Sequence, residues 1–171
     1  YGLPATICLA TDFIGTDRWF WNDQVMFLLE ESKKMMMSKQ LSQAVETVVK
    51  NISGINERAK RQFYSRMDSG RPIDSDAVVE WCKQLNVEVV GRFVDHLGTV
   101  VGVELPKRRV LLNWDEVREM ADNGISFGSH SCSHRILTQI PSSEVEQELG
   151  SSWQAMLLRG VKPIPVFCYP N

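Results

Sequence analysis

Three histidines and four cysteines are the only imidazole and thiol groups in the 171 residues, and no two cysteines form a Cys-x-x-Cys pair. That spacing excludes a zinc knuckle and a thioredoxin-like redox motif. Cys8, Cys82, Cys132 and Cys168 are too few and too far apart for a disulfide framework. Cys8 and Cys168, each within an apolar run, read as small buried hydrophobes in strands. No apolar run approaches the eighteen or so residues of a membrane-spanning helix. Nor is there a charge excess: 19 Lys and Arg stand against 21 Asp and Glu, a net charge of -2. Neither nucleic acid nor an anionic membrane is then expected as the main partner. No positively charged, apolar leader precedes the first strand. The chain opens on Tyr1 and closes on Tyr169-Pro170-Asn171 without a terminal cap. It therefore reads as a piece of something longer, and its compartment cannot be read.

What is present is a core's worth of apolar residues, 43% of the chain. At this length roughly 70% of the unfolded surface can be buried without a metal or disulfide staple. Ala5 to Ala10 is a short apolar run with β-branched residues and reads as a buried strand. Arg18 to Lys34 carries Trp19, Phe20, Trp21, Val25, Phe27 and Leu28, which fits a helix on a core. Leu41, Ala44, Val45, Val48, Val49 and Ile52 recur at three and four, the mark of an amphipathic helix. A second follows around 55–64, and a third, capped by Asp74 or Ser75, carries Val78, Trp81 and Leu85. Beyond Lys33, this region up to Arg71 holds eight basic residues and three acidic ones, a solvated helical face or a surface for an anionic partner. Met35-Met36-Met37 reads as adaptable packing. Val87 to Leu112 is mixed, with valine runs that read as extended or simply buried.

From Asn113 the signals sharpen. Asn113 with Glu116 three residues on is a capping box, and Asn123-Gly124 is a left-handed stop. Ile125 to Gly128 reads as a strand leading into Ser129-His130-Ser131-Cys132-Ser133-His134. A serine cap at Ser142 or Ser143 opens another helix, Gly160 ends it, and Ile164 to Tyr169 reads as a last strand. Helix, strand, helix, strand is the rhythm of a parallel α/β sheet or barrel. His130 and His134 thus fall just beyond a strand end, where such folds place their active sites. Two imidazoles at this spacing converge on one divalent cation if the loop turns like a helical step; a hydrogen-bonded structural pair fits the same spacing. Cys132 between them raises a rival His/Cys site, though alternate residues of a tight loop tend to point apart. His96 is the remaining histidine.

The stretch Trp114 to His134 resembles the second signature block of polysaccharide deacetylases, the NodB-homology domains of the family-four carbohydrate esterases. Leu137-Thr138, the Glu-rich helix and Val166-Phe167-Cys168-Tyr169-Pro170-Asn171 are similar to the third block, and Tyr1 to Ile7 resembles the strand after the first. The resemblance covers about 1–25 and 107–171, leaving 30–105 as a helical insertion within one incomplete catalytic domain, 1–171. It implies part of a distorted (β/α) barrel and metal-dependent hydrolysis of N-acetyl, or O-acetyl, groups on a polysaccharide. By the same resemblance His130 and His134 are ligands of a divalent metal, zinc by the family's habit. The backbone N–H of Asn171 steadies the oxyanion, and Tyr169 contacts substrate. Cys168 stands where many relatives carry an Arg that braces the base carboxylate. The Asp-Asp pair of the first block is expected upstream of Tyr1, and the last two blocks beyond Asn171, so this piece alone is expected to be inactive. Asp12 and Asp17 are either substitute carboxylates or turn formers. Ser129, Ser131 and Ser133 read as loop formers, because no base is placed beside them. The alternative is a non-catalytic module that binds a glycan or a protein on the same scaffold. Open strand edges imply self-association, and the parent is expected to work outside the cytoplasm or at the cell envelope.

Overall fold

The computed structural model describes residues 3–67 and 72–170. It is a mixed α/β structure dominated by helices, in two compact units. One is the continuous stretch Phe20–Pro106, and the other combines Tyr1–Trp19 with Lys107–Asn171.

The helical unit contains α1 (Trp21–Met35), α2 (Ser38–Asn51), α3 (Glu57–Arg66), α4 (Ser75–Cys82) and α5 (Val87–Val101). Its core is the sum of the apolar stripes legible in the sequence: Leu28 and Leu29 of α1, Val45 and Val49 of α2, Phe63 of α3 and Val78 of α4 are all buried. Asp74 caps α4 by accepting from the N–H groups of Asp76 and Ala77, and Asn56 and Asn86 cap α3 and α5 in the same way. The basic stripe exposes Arg58, Arg61 and Arg66 on α3. The valine-rich stretch after Val87 is helix rather than strand. Val89, Val90, Phe93, Val94, Leu97 and Val101 are buried at helical spacing, and that stripe outweighs the β preference of the individual valines. Gly102, at φ 70°, ends it in the left-handed conformation.

The second unit holds the sheet. β1 (Ala5–Leu9) pairs in parallel with β2 (Ile125–Ser129), Cys8 lying opposite Gly128 and Leu9 opposite Ser129. α6 (Trp114–Asp122) and α7 (Ser142–Leu158) pack on β2. Leu9, Ile14, Val117, Phe127, Met156 and Val161 form the core of this unit. The capping box at α6 is complete: Asn113 Oδ1 accepts from the Glu116 N–H at 2.8 Å, and Glu116 accepts from the Asn113 N–H at 2.7 Å. Glu116 also takes both arms of the Arg109 guanidinium. The Trp19 indole N–H donates to the Arg108 carbonyl at 3.2 Å, tying together the two chain segments of this unit.

Three expectations need correction. Ile164 to Tyr169 is not a full strand; only Phe167 bridges Ser129. The Val166 N–H turns back to the Ile164 carbonyl at 2.7 Å, and the Phe127 carbonyl takes the Ile164 N–H at 2.8 Å instead, so the ladder does not extend past the Phe167 bridge. Neither serine caps α7, since Pro141 occupies that position and the helix starts at Ser142. Cys168 is exposed and Cys8 half-buried, so neither is a fully buried hydrophobe. Among the described residues the sheet does not close into a barrel.

Trp81 is fully buried between the rings of Phe63 and Phe93, at centroid distances of 5.0 and 5.6 Å, and its indole N–H reaches the Ala59 carbonyl at 2.9 Å. Trp81→Ala is expected to destabilise the helical unit by about 3–5 kcal/mol. Chemical denaturation followed by far-UV circular dichroism measures this, and an unchanged midpoint would contradict the packing.

A histidine pair on a braced loop

The loop after β2 is set by short polar side chains. His130 donates its backbone N–H to the Leu9 carbonyl at 3.0 Å, and the Thr11 and Asp12 N–H groups bond the Ser131 and Cys132 carbonyls at 3.2 and 3.0 Å. The chain after β1 therefore continues to run alongside the histidine loop. Ser131 and His134 both adopt left-handed backbone, at φ 65° and 58°. Non-glycine residues occupy this region at a cost of order 1 kcal/mol or more. Compensation comes from side chains. The His134 N–H donates to Ser131 Oγ at 3.1 Å, and the Ser131 N–H donates to Ser129 Oγ at 3.3 Å. Ser129 Oγ in turn meets Ser152 Oγ of α7 at 2.8 Å, both buried.

The main brace is Glu148, one turn beyond Glu144 on α7. Its carboxylate accepts from the Cys132 N–H at 2.8 Å, the Ser133 N–H at 2.9 Å and the Ser133 hydroxyl. Burial raises the Glu148 pKa, yet the bonds from Ser133, Cys132 and Ser131 outweigh it and hold the carboxyl below its usual range. Glu144 pairs with Arg135 at 2.5 Å. By composition the sequence marks this helix only as glutamate-rich. The usable signal was the four-residue spacing of Glu144 and Glu148, which puts both on one helix face.

So braced, the loop brings His130 and His134 together, ring centroids 4.7 Å apart and edge to face. His130 Nδ1 lies 2.8 Å from the Cys168 carbonyl. A carbonyl only accepts, so Nδ1 carries a proton, and in the neutral ring Nε2 then has the lone pair that a metal ligand needs. His134 is buried, and burial, followed by the charge of His130, pushes its pKa down to about 4. It is therefore neutral near pH 7, as a ligand must be. A neutral imidazole is the form in which histidine takes a divalent cation. Among the described residues, no group of three or more His, Cys, Asp or Glu is placed to hold one.

The other candidates are dispersed. Cys132 directs its S–H to the Glu148 carbonyl at 3.4 Å, away from a shared site with the histidines. It lines, with Asp12, Arg135, Glu144 and Glu148, a polar cavity of about 310 Å³. Asp12 and Asp17 are exposed in the turn after β1. Tyr169 is 76% exposed, stands edge to face with Phe167 and lines an apolar groove of about 390 Å³ with Leu149 and Trp153. His96 lies in the helical unit, where Nδ1 bonds the Arg92 carbonyl at 2.9 Å. Asn171 lies outside the described residues.

A family model described as polysaccharide deacetylase matches residues 56–171. The match takes in α3 to α5 and everything from α6 onward, and leaves β1 outside it. No curated protein and no solved structure matches.

Glu148→Ala is expected to cost about 2 kcal/mol, since two backbone N–H groups lose a charged acceptor. The folded pKa of Glu148 is depressed, so its contribution is present above about pH 4.3 and fades as pH falls through the lower folded value. Thermal unfolding of wild type and Glu148→Gln across pH 3–7 reads this out. Wild type should lose stability on acidification more steeply than the variant, and parallel curves would contradict the brace.

Proposed function

Because the chain belongs to the polysaccharide deacetylase family, we propose that it carries the histidine half of a metal-dependent site that removes acetyl groups from an acetylated polysaccharide. The observation that carries this reading is the histidine pair, with His130 Nδ1 committed to the Cys168 carbonyl. His130 and His134 are the residues that would hold the cation, zinc being well suited to imidazole. When bound, such a cation polarises an acetyl carbonyl and acidifies a water molecule. The chain's own part is positional. Glu148 and Ser131 fix the loop, Cys168 fixes one ring, and burial keeps the other ring neutral.

An amide is a poor electrophile, and hydrolysis also needs a base for the water, an acid for the leaving amine and a donor to the oxyanion. The backbone of Asn171 is the proposed donor, by resemblance. Tyr169 is the proposed sugar contact, supported by its exposure at the rim of the apolar groove. By resemblance, the third, carboxylate ligand and the base belong to the family's acidic first block. The helical unit is read as an insertion between β1 and α6, supported by the second unit being built from the chain on either side of it.

The test uses a protein long enough to include that acidic block, with zinc content and acetate release from N-acetylated oligosaccharides as readouts. Wild type is expected to hold one zinc and release acetate. His130→Ala and His134→Ala should each fall to background zinc and lose at least about a hundredfold in activity, more than the loss of a mere supporting group costs. A folded wild type with neither metal nor acetate release would overturn the proposal and favour a glycan- or protein-binding module.

A further inference from the structure

Cys8 and Cys168 are 160 residues apart in the chain, yet their sulfurs lie 2.8 Å from each other. That is inside the van der Waals separation of two sulfur atoms, and both thiols are free. The backbone explains the approach. Cys8 on β1 is in register with Gly128 on β2, and the chain at Val166 to Cys168 runs along the other side of β2, through the Ser129–Phe167 bridge. Gly128 is what leaves the gap open. A Cβ at 128 would stand 2.7 Å from the Val166 carbonyl oxygen and 3.2 Å from Cys8 Sγ. The other two cysteines are committed elsewhere: Cys82 is wholly buried in the helical unit, and Cys132 bonds the Glu148 carbonyl.

We propose that Cys8 and Cys168 are a reversible dithiol–disulfide pair, closed by exchange with a small-molecule disulfide. Cys168, the exposed sulfur, attacks one sulfur of that disulfide as the thiolate and expels the first small thiol, leaving a mixed disulfide. Cys8 then attacks Cys168 Sγ and expels the second. Two protein thiols are oxidised and one external disulfide is reduced to two thiols, which take up the two protons released. Burial, and then the neighbouring Cys168, pushes the Cys8 thiol up to about 11, so the first attack falls to the exposed Cys168 and Cys8 closes the bond by its position beside it. The closed bond ties β1 to the segment whose Cys168 carbonyl receives the His130 Nδ1–H and whose Cys168 N–H bonds the Ser129 carbonyl at 2.9 Å. It thereby fixes the backbone behind one histidine. The bond stands independently of the metal reading, and its readouts are mass and stability.

The experiment incubates the purified chain with oxidised glutathione, blocks remaining thiols under denaturing conditions, and measures intact mass and a non-reduced digest. The expected product has two blocked cysteines, a mass lower by two hydrogens before blocking, and one cross-linked peptide pair containing residues 8 and 168. A cross-link closing so long a loop restricts the unfolded chain, so the thermal midpoint should rise on oxidation and return with reductant. Cys168→Ser, at an exposed position, should keep the reduced midpoint and abolish the oxidised shift. Four blocked thiols after oxidation, a bond to Cys82 or Cys132, or a link between two chains would each overturn the proposal.

Discussion

One carboxylate governs the histidine loop. Glu148 approaches from α7 and takes both the Cys132 and Ser133 N–H groups, which a loop turning through left-handed backbone at Ser131 and His134 cannot satisfy within itself. Without that acceptor the loop would leave buried donors unpaired, at a cost comparable to the strain it already carries. With it, the two rings are held close while the chain entering the loop at Ser129 stays paired with Leu9 and Phe167. Nearly every polar group around the pair serves the same end. Ser129, Ser131, Ser133 and Ser152 spend their hydroxyls on the loop or on one another.

The geometry also divides labour between the two histidines. His130 is half-buried and oriented from outside, through a backbone carbonyl almost forty residues along the chain. His134 is buried and kept neutral by its surroundings. An imidazole pair with one ring steered and one ring desolvated is pre-organised, so the proposed cation would find little side-chain freedom left to remove.

Much of this was legible from the sequence where signals were local. The apolar stripe of α2, the Asn113–Glu116 capping box and the short apolar runs of β1 and β2 each depend on residues within a few positions of one another. The histidine pair was legible as a pair. What could not be read were properties set across the chain: that α7 reaches back through Glu148, that Cys8 meets Cys168 over Gly128, and that the Cys168 carbonyl chooses the His130 tautomer. The valines of α5, open in the sequence between extended and buried, belong to a helix because six buried residues fall at helical spacing, and the apolar run at Ile164 to Tyr169 hides a tight turn that uses up its hydrogen-bonding capacity.

The bond between the Trp19 indole and the Arg108 carbonyl has an evolutionary side. It pins the points where the chain departs from the sheet-bearing unit and comes back to it, while nearly ninety residues run between them. When the two ends of an excursion are anchored on the parent scaffold, its length is nearly free to drift, because closing a longer loop adds only about 0.6 kcal/mol per doubling. The span between Trp19 and Arg108 is thus set by what its five helices must bury and only weakly by the cost of closing it.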